Sequence, residues 1–208
     1  MLTNEVLDQM HECGVVAVLR SESVEQALHV ASACMDGGVN FIEVTFSVPD
    51  AAAAIAALQD TNAFVGAGTV ITAEQAKRAL DAGAKYLVAP TFNKNVLACA
   101  KDANVPYVPG CMTVNEMQNA YEAGCELVKL FPASEFSPNF IKSVHAPLPH
   151  LNIMPTGGIN VENTAAWISK GAFAVGVGGN LTKVVDGDYA AITQAAQKYC
   201  AQVQAGRQ

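Results

Sequence analysis

Short apolar runs recur along the chain, and more polar, helix-like segments separate them. The eight runs begin 20 to 26 residues apart. That spacing leaves room for a strand, a helix of about three turns and two short connections in each repeat. The runs are apolar almost throughout, which is typical of parallel strands buried on both faces. We therefore predict strands at 15–20, 41–46, 64–69, 86–91, 106–111, 126–131, 152–157 and 173–178.

The segments between the runs carry the start and stop signals of helices. Thr72 is followed by Gln75, and Thr113 by Glu116, each pair in the spacing of a capping box. Glycine is the usual residue just beyond a helix end because it tolerates the left-handed conformation there. Glycines in that position are Gly38, Gly83, Gly124 and Gly171. The pattern therefore predicts a helix between most successive strands.

Eight strand–helix repeats predict a parallel sheet covered by helices. Eight is also the number of strands that closes such a sheet into a (β/α)8 barrel, the TIM barrel. We predict a compact barrel forming a single domain over residues 1–208, with an N-terminal helical lead-in and a C-terminal helix. A doubly wound open sheet is the alternative. No G-x-G-x-x-G sequence enters the first helix, so a dinucleotide site is not indicated.

Composition and charge narrow the possible partners. The net charge of −7 at pH 7 argues against nucleic acid and anionic membranes. No apolar run is long enough for a transmembrane helix, and residues 1–10 lack the basic and apolar regions of a secretory signal, so we expect a cytoplasmic protein. The six cysteines and four histidines fall outside the spacings of metal sites. We therefore expect reduced thiols, no metal and no other cofactor.

Lys129 lies in the middle of the sixth run and is the only one of the nine lysines that interrupts a predicted strand core. Burying an ammonium without a partner costs several kcal/mol. Either the side chain snorkels from a strand edge to water, or it lies desolvated in the interior. A desolvated lysine is neutral often enough to attack a carbonyl and form a Schiff base.

Glu43, in the second run, is the corresponding acidic candidate. Alternation along the strands points both Glu43 and Lys129 toward the barrel mouth. In an eight-stranded barrel, the second and sixth strands lie opposite each other. The two groups are then either a plain buried ion pair or an acid/base group beside an imine-forming amine, and both interpretations can hold in the resting state.

Glycines at the ends of the last two runs form a second candidate site. Gly157-Gly158 and Gly178-Gly179 follow strands whose loops usually bind phosphate in this fold. Glycine lets backbone N–H groups approach an anion, although turn geometry alone is the alternative explanation. Arg20 is the only arginine near a strand end. Its guanidinium suits a carboxylate or phosphate of a ligand, or a salt bridge to a protein carboxylate.

Together these stretches resemble the 2-keto-3-deoxy-6-phosphogluconate (KDPG) aldolase family, which includes the 4-hydroxy-2-oxoglutarate (KHG) aldolases. The resemblance runs from about residue 15 to about residue 181. The matching stretches are 18–20, 37–39, 42–45, 65–70, 109–110, 128–132 and 155–159. It implies a metal-free class I aldolase on a compact barrel, usually a homotrimer, in the Entner–Doudoroff route or related sugar-acid catabolism.

The resemblance also implies residue roles. Lys129 matches the Schiff-base lysine and Glu43 the general acid/base. Thr69, Pro90 and Thr156 match positions that line the pyruvate end, and Gly157, Gly158 and Gly179 match the phosphate-binding turns. We add Arg20, Gly178 and Asn180 to the expected substrate-binding residues; Asn180 stands where a serine is frequent. Ser47 stands where the best-known members have a phosphate-holding arginine, so we expect weaker selection for a phosphorylated substrate.

The implied reactions are cleavage of 2-dehydro-3-deoxy-6-phosphogluconate to pyruvate and glyceraldehyde 3-phosphate, and cleavage of 4-hydroxy-2-oxoglutarate to pyruvate and glyoxylate. The galactonate epimer of the first substrate is an alternative. A metal-free phosphosugar isomerase or epimerase, with Lys129 acting only through its charge, is a second. A non-catalytic barrel that binds phosphorylated metabolites is a third.

Overall fold

The computed structural model describes residues 5–208 of the chain. The first four residues of the predicted lead-in lie outside this range. The strands are β1 (Val15–Leu19), β2 (Phe41–Thr45), β3 (Phe64–Gly68), β4 (Leu87–Val88), β5 (Tyr107–Val108), β6 (Gly110–Cys111), β7 (Val128–Leu130), β8 (Ile153–Pro155) and β9 (Val175–Val177).

Helices fill the segments between the strands. They are α1 (Glu5–Cys13), α2 (Val24–Asp36), α3 (Ala51–Ala57), α4 (Ala73–Asp81), α5 (Lys94–Asp102), α6 (Val114–Glu122), α7 (Asn139–His145), α8 (Val161–Ser169), α9 (Gly179–Thr182) and α10 (Tyr189–Arg207), with a 3₁₀ turn at Ala133–Glu135. Within residues 5–208, no helix combines the length and the apolar character that crossing a bilayer requires.

The strand pairings are parallel. Six strands pair in the order β5-β4-β3-β2-β1-β9, and three pair in the order β6-β7-β8. A parallel bridge between Thr156 and Gly176 joins the end of β8 to β9. The result is an α/β fold with a curled parallel sheet, as the repeating pattern predicts.

Each predicted run contains a strand, but the fifth run differs from the prediction. The run 106–111 is divided into β5 and β6 by Pro109. Proline has no N–H to donate to a ladder, so the strand is interrupted there, while the Pro109 carbonyl still accepts a hydrogen bond from the Lys129 backbone N–H at 2.9 Å. A Cβ at Gly110 would overlap the carbonyl of Pro90. Glycine is therefore required where these two backbones approach closely.

Alternation along the strands separates two apolar clusters. In β1, Val15, Ala17 and Leu19 pack with the helices outside the sheet, whereas Val16 faces the inside of the curl. The inside cluster consists of Leu7, Met10, Val16, Phe41, Tyr86, Val88, Val108, Leu127, Met154 and Ala174. Burying a large apolar side chain contributes about 1.5–3 kcal/mol. This cluster therefore forms a stable apolar core inside the curled sheet. Helix α1 completes it by contributing Leu7 and Met10.

The helix signals are largely confirmed. Both predicted capping boxes are present, and a third, Asn160 with Asn163, begins α8. The glycines after α4, α6 and α8 have left-handed φ values of 95°, 102° and 99°. Gly178-Gly179 does not form an open loop before the C-terminal helix. Gly179 itself begins the short α9, and α10 starts only at Tyr189.

Candidate active site

Lys129 of β7 and Glu43 of β2 meet inside the curl of the sheet. The Lys129 Nζ lies 4.0 Å from the Glu43 Oε1, and the side chains are 6% and 1% exposed. This is the only ion pair among residues 5–208. The alternative that Lys129 snorkels to water is wrong, because the side chain is enclosed. A buried pair of this kind gains from its low-dielectric surroundings only while both partners are present.

The neighbouring strand makes room for Glu43. Glu43 pairs in register with Gly66 of β3, and its side chain occupies the space beside Gly68, two residues further along. Lys129 is fixed in register with Gly110 of β6. Its Nζ lies 5.2 Å from the centre of the half-buried Phe131 ring, within range of a cation–π interaction. Backbone pairing therefore holds both ionisable groups in place.

Adding a methyl group at Gly68 tests this packing. A Cβ there would overlap the Glu43 carboxylate, with its Cγ and Cδ at 2.7 Å. We expect Gly68→Ala to lower the free energy of unfolding by about 1–3 kcal/mol, the usual effect of overpacking a close-fitting interior. Denaturant unfolding measures this. Gly179→Ala is the control, because a Cβ at Gly179 meets no atom of residues 5–208 within 4 Å. Equal stabilities for the two variants would contradict the packing argument.

Several polar atoms in this interior have no hydrogen-bond partner in the described part of the chain. They include both Glu43 oxygens, the Thr156 Oγ1 and the Tyr86 hydroxyl. Buried polar atoms are almost always paired, so Glu43 and Thr156 point to a site that a polar ligand completes. Burial, and secondarily the charge of Glu43, raises the pKa of Tyr86 well above its ordinary value. Tyr86 is therefore a neutral phenol within the electrostatic influence of Glu43; the sequence analysis did not single it out.

Thr69 and Pro90 follow the neighbouring strands β3 and β4. Thr69 has a φ of +58°, a conformation that is strained for a β-branched residue. Strain of this kind is concentrated at functional sites, where the surrounding structure holds it in place. Pro90 is half-buried, and its carbonyl packs against Gly110. Neither residue lines the cavity described next.

A cavity of about 190 Å³ adjoins Thr156 at the ends of β8 and β9. We call it the glycine cavity. Seven of the predicted site residues line it, namely Arg20, Thr156, Gly157, Gly158, Gly178, Gly179 and Asn180, together with Val18, Phe131, Ile159 and Gly176, which the sequence analysis did not single out as site residues. Gly157 and Gly158 have left-handed φ values of 97° and 74°. Their conformation therefore requires glycine, in addition to any role in binding an anion.

Asn180 and Arg20 contribute to the glycine cavity in different ways. The Asn180 Nδ2 donates to the Ile159 carbonyl at 2.7 Å, so it ties α9 to the loop after β8. Arg20 is exposed and forms no ion pair with any of residues 5–208, so the salt-bridge alternative is wrong for this part of the chain. By contrast, Arg78 lies over the Phe46 ring, and Arg207 donates to backbone carbonyls at the end of α1.

Ser47, at the position of the missing arginine, has a local hydrogen bond. The Thr45 hydroxyl donates to the Leu19 carbonyl at 2.7 Å. The Ser47 Oγ lies 2.6 Å from the Thr45 Oγ1, so Ser47 must be the donor in that pair. Ser47 therefore helps to hold the end of β2 and brings no charge to the site.

The chain is similar to proteins of known function. The family model for KDPG and KHG aldolase matches residues 6–195. The 2-dehydro-3-deoxy-phosphogluconate aldolase of Treponema pallidum (strain Nichols) is 37% identical over 167 residues, which is 79% of this chain and 80% of the relative. The 2-dehydro-3-deoxy-6-phosphogalactonate aldolase of Escherichia coli (strain K12) is 33% identical over 171 residues, 80% of this chain and 83% of that protein.

A solved structure extends the likeness to the fold. The KDPG aldolase of Legionella pneumophila, with pyruvate captured at low pH as a covalent carbinolamine intermediate, superposes with a TM-score of 0.84 at 27% identity and covers 95% of this chain and 97% of that chain. The extent of the family match and the identity to the relatives show that this chain belongs to the KDPG and KHG aldolase family.

Proposed function

We propose that this aldolase is a class I enzyme that uses a Schiff base to cleave 2-dehydro-3-deoxy-6-phosphogluconate, 4-hydroxy-2-oxoglutarate, or both. The observation that carries the proposal is the enclosed Lys129–Glu43 pair, 4.0 Å apart. An amine and a carboxylate that are this close can exchange a proton after a small approach of the two side chains or through one water molecule, and the exchange leaves the amine free to attack a ketone. The carbinolamine in the Legionella relative is the adduct that such an attack produces.

The proposed reaction begins when Lys129 passes a proton to Glu43. The neutral amine adds to the C2 ketone of the substrate, and loss of water, with the proton returned by Glu43, gives an iminium. Glu43 then takes the C4 hydroxyl proton, directly or through a water molecule. The C3–C4 bond breaks, its electrons form an enamine and the aldehyde leaves. Protonation of the enamine at C3 and hydrolysis of the iminium release pyruvate.

The substrate spans the two parts of the site in this proposal. Thr69, Pro90 and Thr156 surround the pyruvate end, where the Thr156 hydroxyl has no partner among residues 5–208. The distal phosphate or carboxylate enters the glycine cavity, where Gly157 and Gly158 present backbone N–H groups at the start of α8. Gly178, Gly179, Asn180 and Arg20 complete this cavity.

A pyruvate-release assay on three substrates tests the proposal. The panel consists of the 6-phosphogluconate-derived acid, its galactonate epimer and 4-hydroxy-2-oxoglutarate. The relative from E. coli makes the galactonate epimer the second candidate substrate. Borohydride in the presence of pyruvate should reduce the imine to a stable adduct on the enzyme. An isomerase, an epimerase or a binding barrel would release no pyruvate and give no adduct.

Introducing the missing arginine tests how the phosphate is held. A charged hydrogen bond contributes about 1.5–3 kcal/mol, which corresponds to roughly 10–100-fold in binding. We expect the parent to accept small unphosphorylated partners such as glyoxylate relatively well. We expect Ser47→Arg to lower the KM for the phosphorylated substrate more than the KM for 4-hydroxy-2-oxoglutarate. Steady-state kinetics on both substrates decides this, and an unchanged KM ratio would contradict it.

We further propose a single domain whose sheet closes into a (β/α)8 barrel. The bridge between Thr156 and Gly176 supports closure on one side. On the other side, Pro109 alone separates β5 from β6. By the family resemblance, we also propose a cytoplasmic homotrimer acting in sugar-acid catabolism of the Entner–Doudoroff type. Light scattering on the purified protein tests the trimer.

A further inference from the structure

We propose that Lys183 acts with Arg20 to bind the terminal phosphate of the substrate, in place of the arginine that is absent at position 47. This proposal rests on the function proposed above and adds a specificity-determining residue to it. Lys183 follows α9 and matches none of the residues that the sequence analysis selected.

Lys183 lines a second cavity, which adjoins the glycine cavity. It has a volume of about 300 Å³ and is lined by Arg20, Glu22, Gln26, Gly179, Thr182, Lys183 and Val184. We call it the rim cavity. It shares Arg20 and Gly179 with the glycine cavity, so the two cavities adjoin at these residues. A phosphate seated at the glycine turns, near Arg20 and Gly179, would therefore have both Arg20 and the rim-cavity residue Lys183 at its side.

The backbone at Lys183 is fixed although its side chain is exposed. Leu181 is buried, and the buried Thr182 hydroxyl donates to the Val18 carbonyl of β1 at 2.9 Å. The Lys183 backbone N–H donates to the Gly179 carbonyl at 3.3 Å. These contacts hold α9 against β1, the strand that Arg20 directly follows. The flexible four-carbon stem of lysine therefore starts from a defined position beside the glycine cavity.

The charges in the rim cavity favour an anion. Arg20 and Lys183 contribute two positive charges and Glu22 one negative charge, so the lining has a net charge of +1 in a chain of net charge −7. Over residues 5–208, neither cation has a carboxylate within 4.0 Å, because Lys129–Glu43 is the only pair at that distance. The side-chain oxygen of Gln26 is already engaged, since Oε1 accepts from the Glu22 backbone N–H at 2.8 Å. The two cations are therefore available to a ligand.

The simpler alternative is that Lys183 is a solvated surface lysine with no role in binding, since exposed charges usually contribute little. Lys183→Ala distinguishes the two. We expect it to raise the KM for the phosphorylated substrate about 5- to 10-fold and to raise the KM for 4-hydroxy-2-oxoglutarate less. Lys198→Ala is the matched control. Lys198 is exposed on α10, so its substitution removes the same charge at a position away from both cavities.

Binding of inorganic phosphate gives a second measurement that does not depend on turnover. Calorimetry should show phosphate affinity weakened about 5- to 10-fold in Lys183→Ala and unchanged in Lys198→Ala. Equal affinities in both variants, or a KM change shared equally by both substrates, would overturn the role of Lys183. Failure of the proposed function would look different. The parent would then release no pyruvate and would give no borohydride adduct, whatever its affinity for phosphate.

Discussion

Replacing Lys129 by alanine is expected to reduce pyruvate release by several orders of magnitude. Lys129 is the only lysine enclosed beside a carboxylate in residues 5–208, and the proposed route depends on a covalent bond to its amine. Losing the nucleophile removes that route entirely rather than slowing one step of it. The measurement is steady-state pyruvate release, together with borohydride trapping of pyruvate on the protein.

The alanine variant needs a partner variant, because it leaves Glu43 buried without its cation. Removing one member of a buried pair typically destabilises a protein by about 3–5 kcal/mol. Lys129→Arg keeps a positive charge near Glu43, but a guanidinium remains protonated and does not form an imine. We expect both variants to be inactive. Trapping of pyruvate at the parental level in either one would assign the imine to another lysine.

Glu43→Gln is expected to lower turnover by roughly 10²–10⁴-fold, the usual contribution of a positioned proton-transfer group. Glutamine keeps the size and hydrogen-bonding capacity of the side chain but does not accept the C4 hydroxyl proton. Some imine formation should remain, so borohydride trapping is the informative comparison. Turnover equal to that of the parent would reduce Glu43 to a structural partner of Lys129.

The positions of the strands and of the central pair were predictable from the sequence. Strands buried on both faces leave continuous apolar runs, and a lysine or glutamate inside such a run is conspicuous. The period of two then fixed which face each side chain occupies, and the structure places Glu43 and Lys129 on one inner face. The capping boxes at Thr72 and Thr113 were equally predictable, because their chemistry is local.

Features that depend on long-range packing were not predictable. The capping box of Asn160 uses two asparagines, which the Ser/Thr–Glu/Gln pattern does not include. In the sequence, Tyr86 is one residue of an apolar run and is not distinguished from its neighbours. Only the fold brings it within the electrostatic influence of Glu43. Lys183 follows a four-residue helix, and the Thr182 hydrogen bond to Val18 that positions it joins residues 164 apart. No local pattern carries such information.

Lys129 and Glu43 are enclosed together and form the only ion pair among residues 5–208, so each must balance the charge of the other. In the proposed cycle, Lys129 attacks only when Glu43 holds the proton, so both groups are then uncharged. Formation of the iminium returns the proton from Glu43 and restores one charge of each sign. Cleavage turns the iminium into a neutral enamine as Glu43 is protonated again. The charges on Glu43 and on the lysine nitrogen thus arise and disappear in pairs, and neither group is left as a lone buried ion at any of these steps.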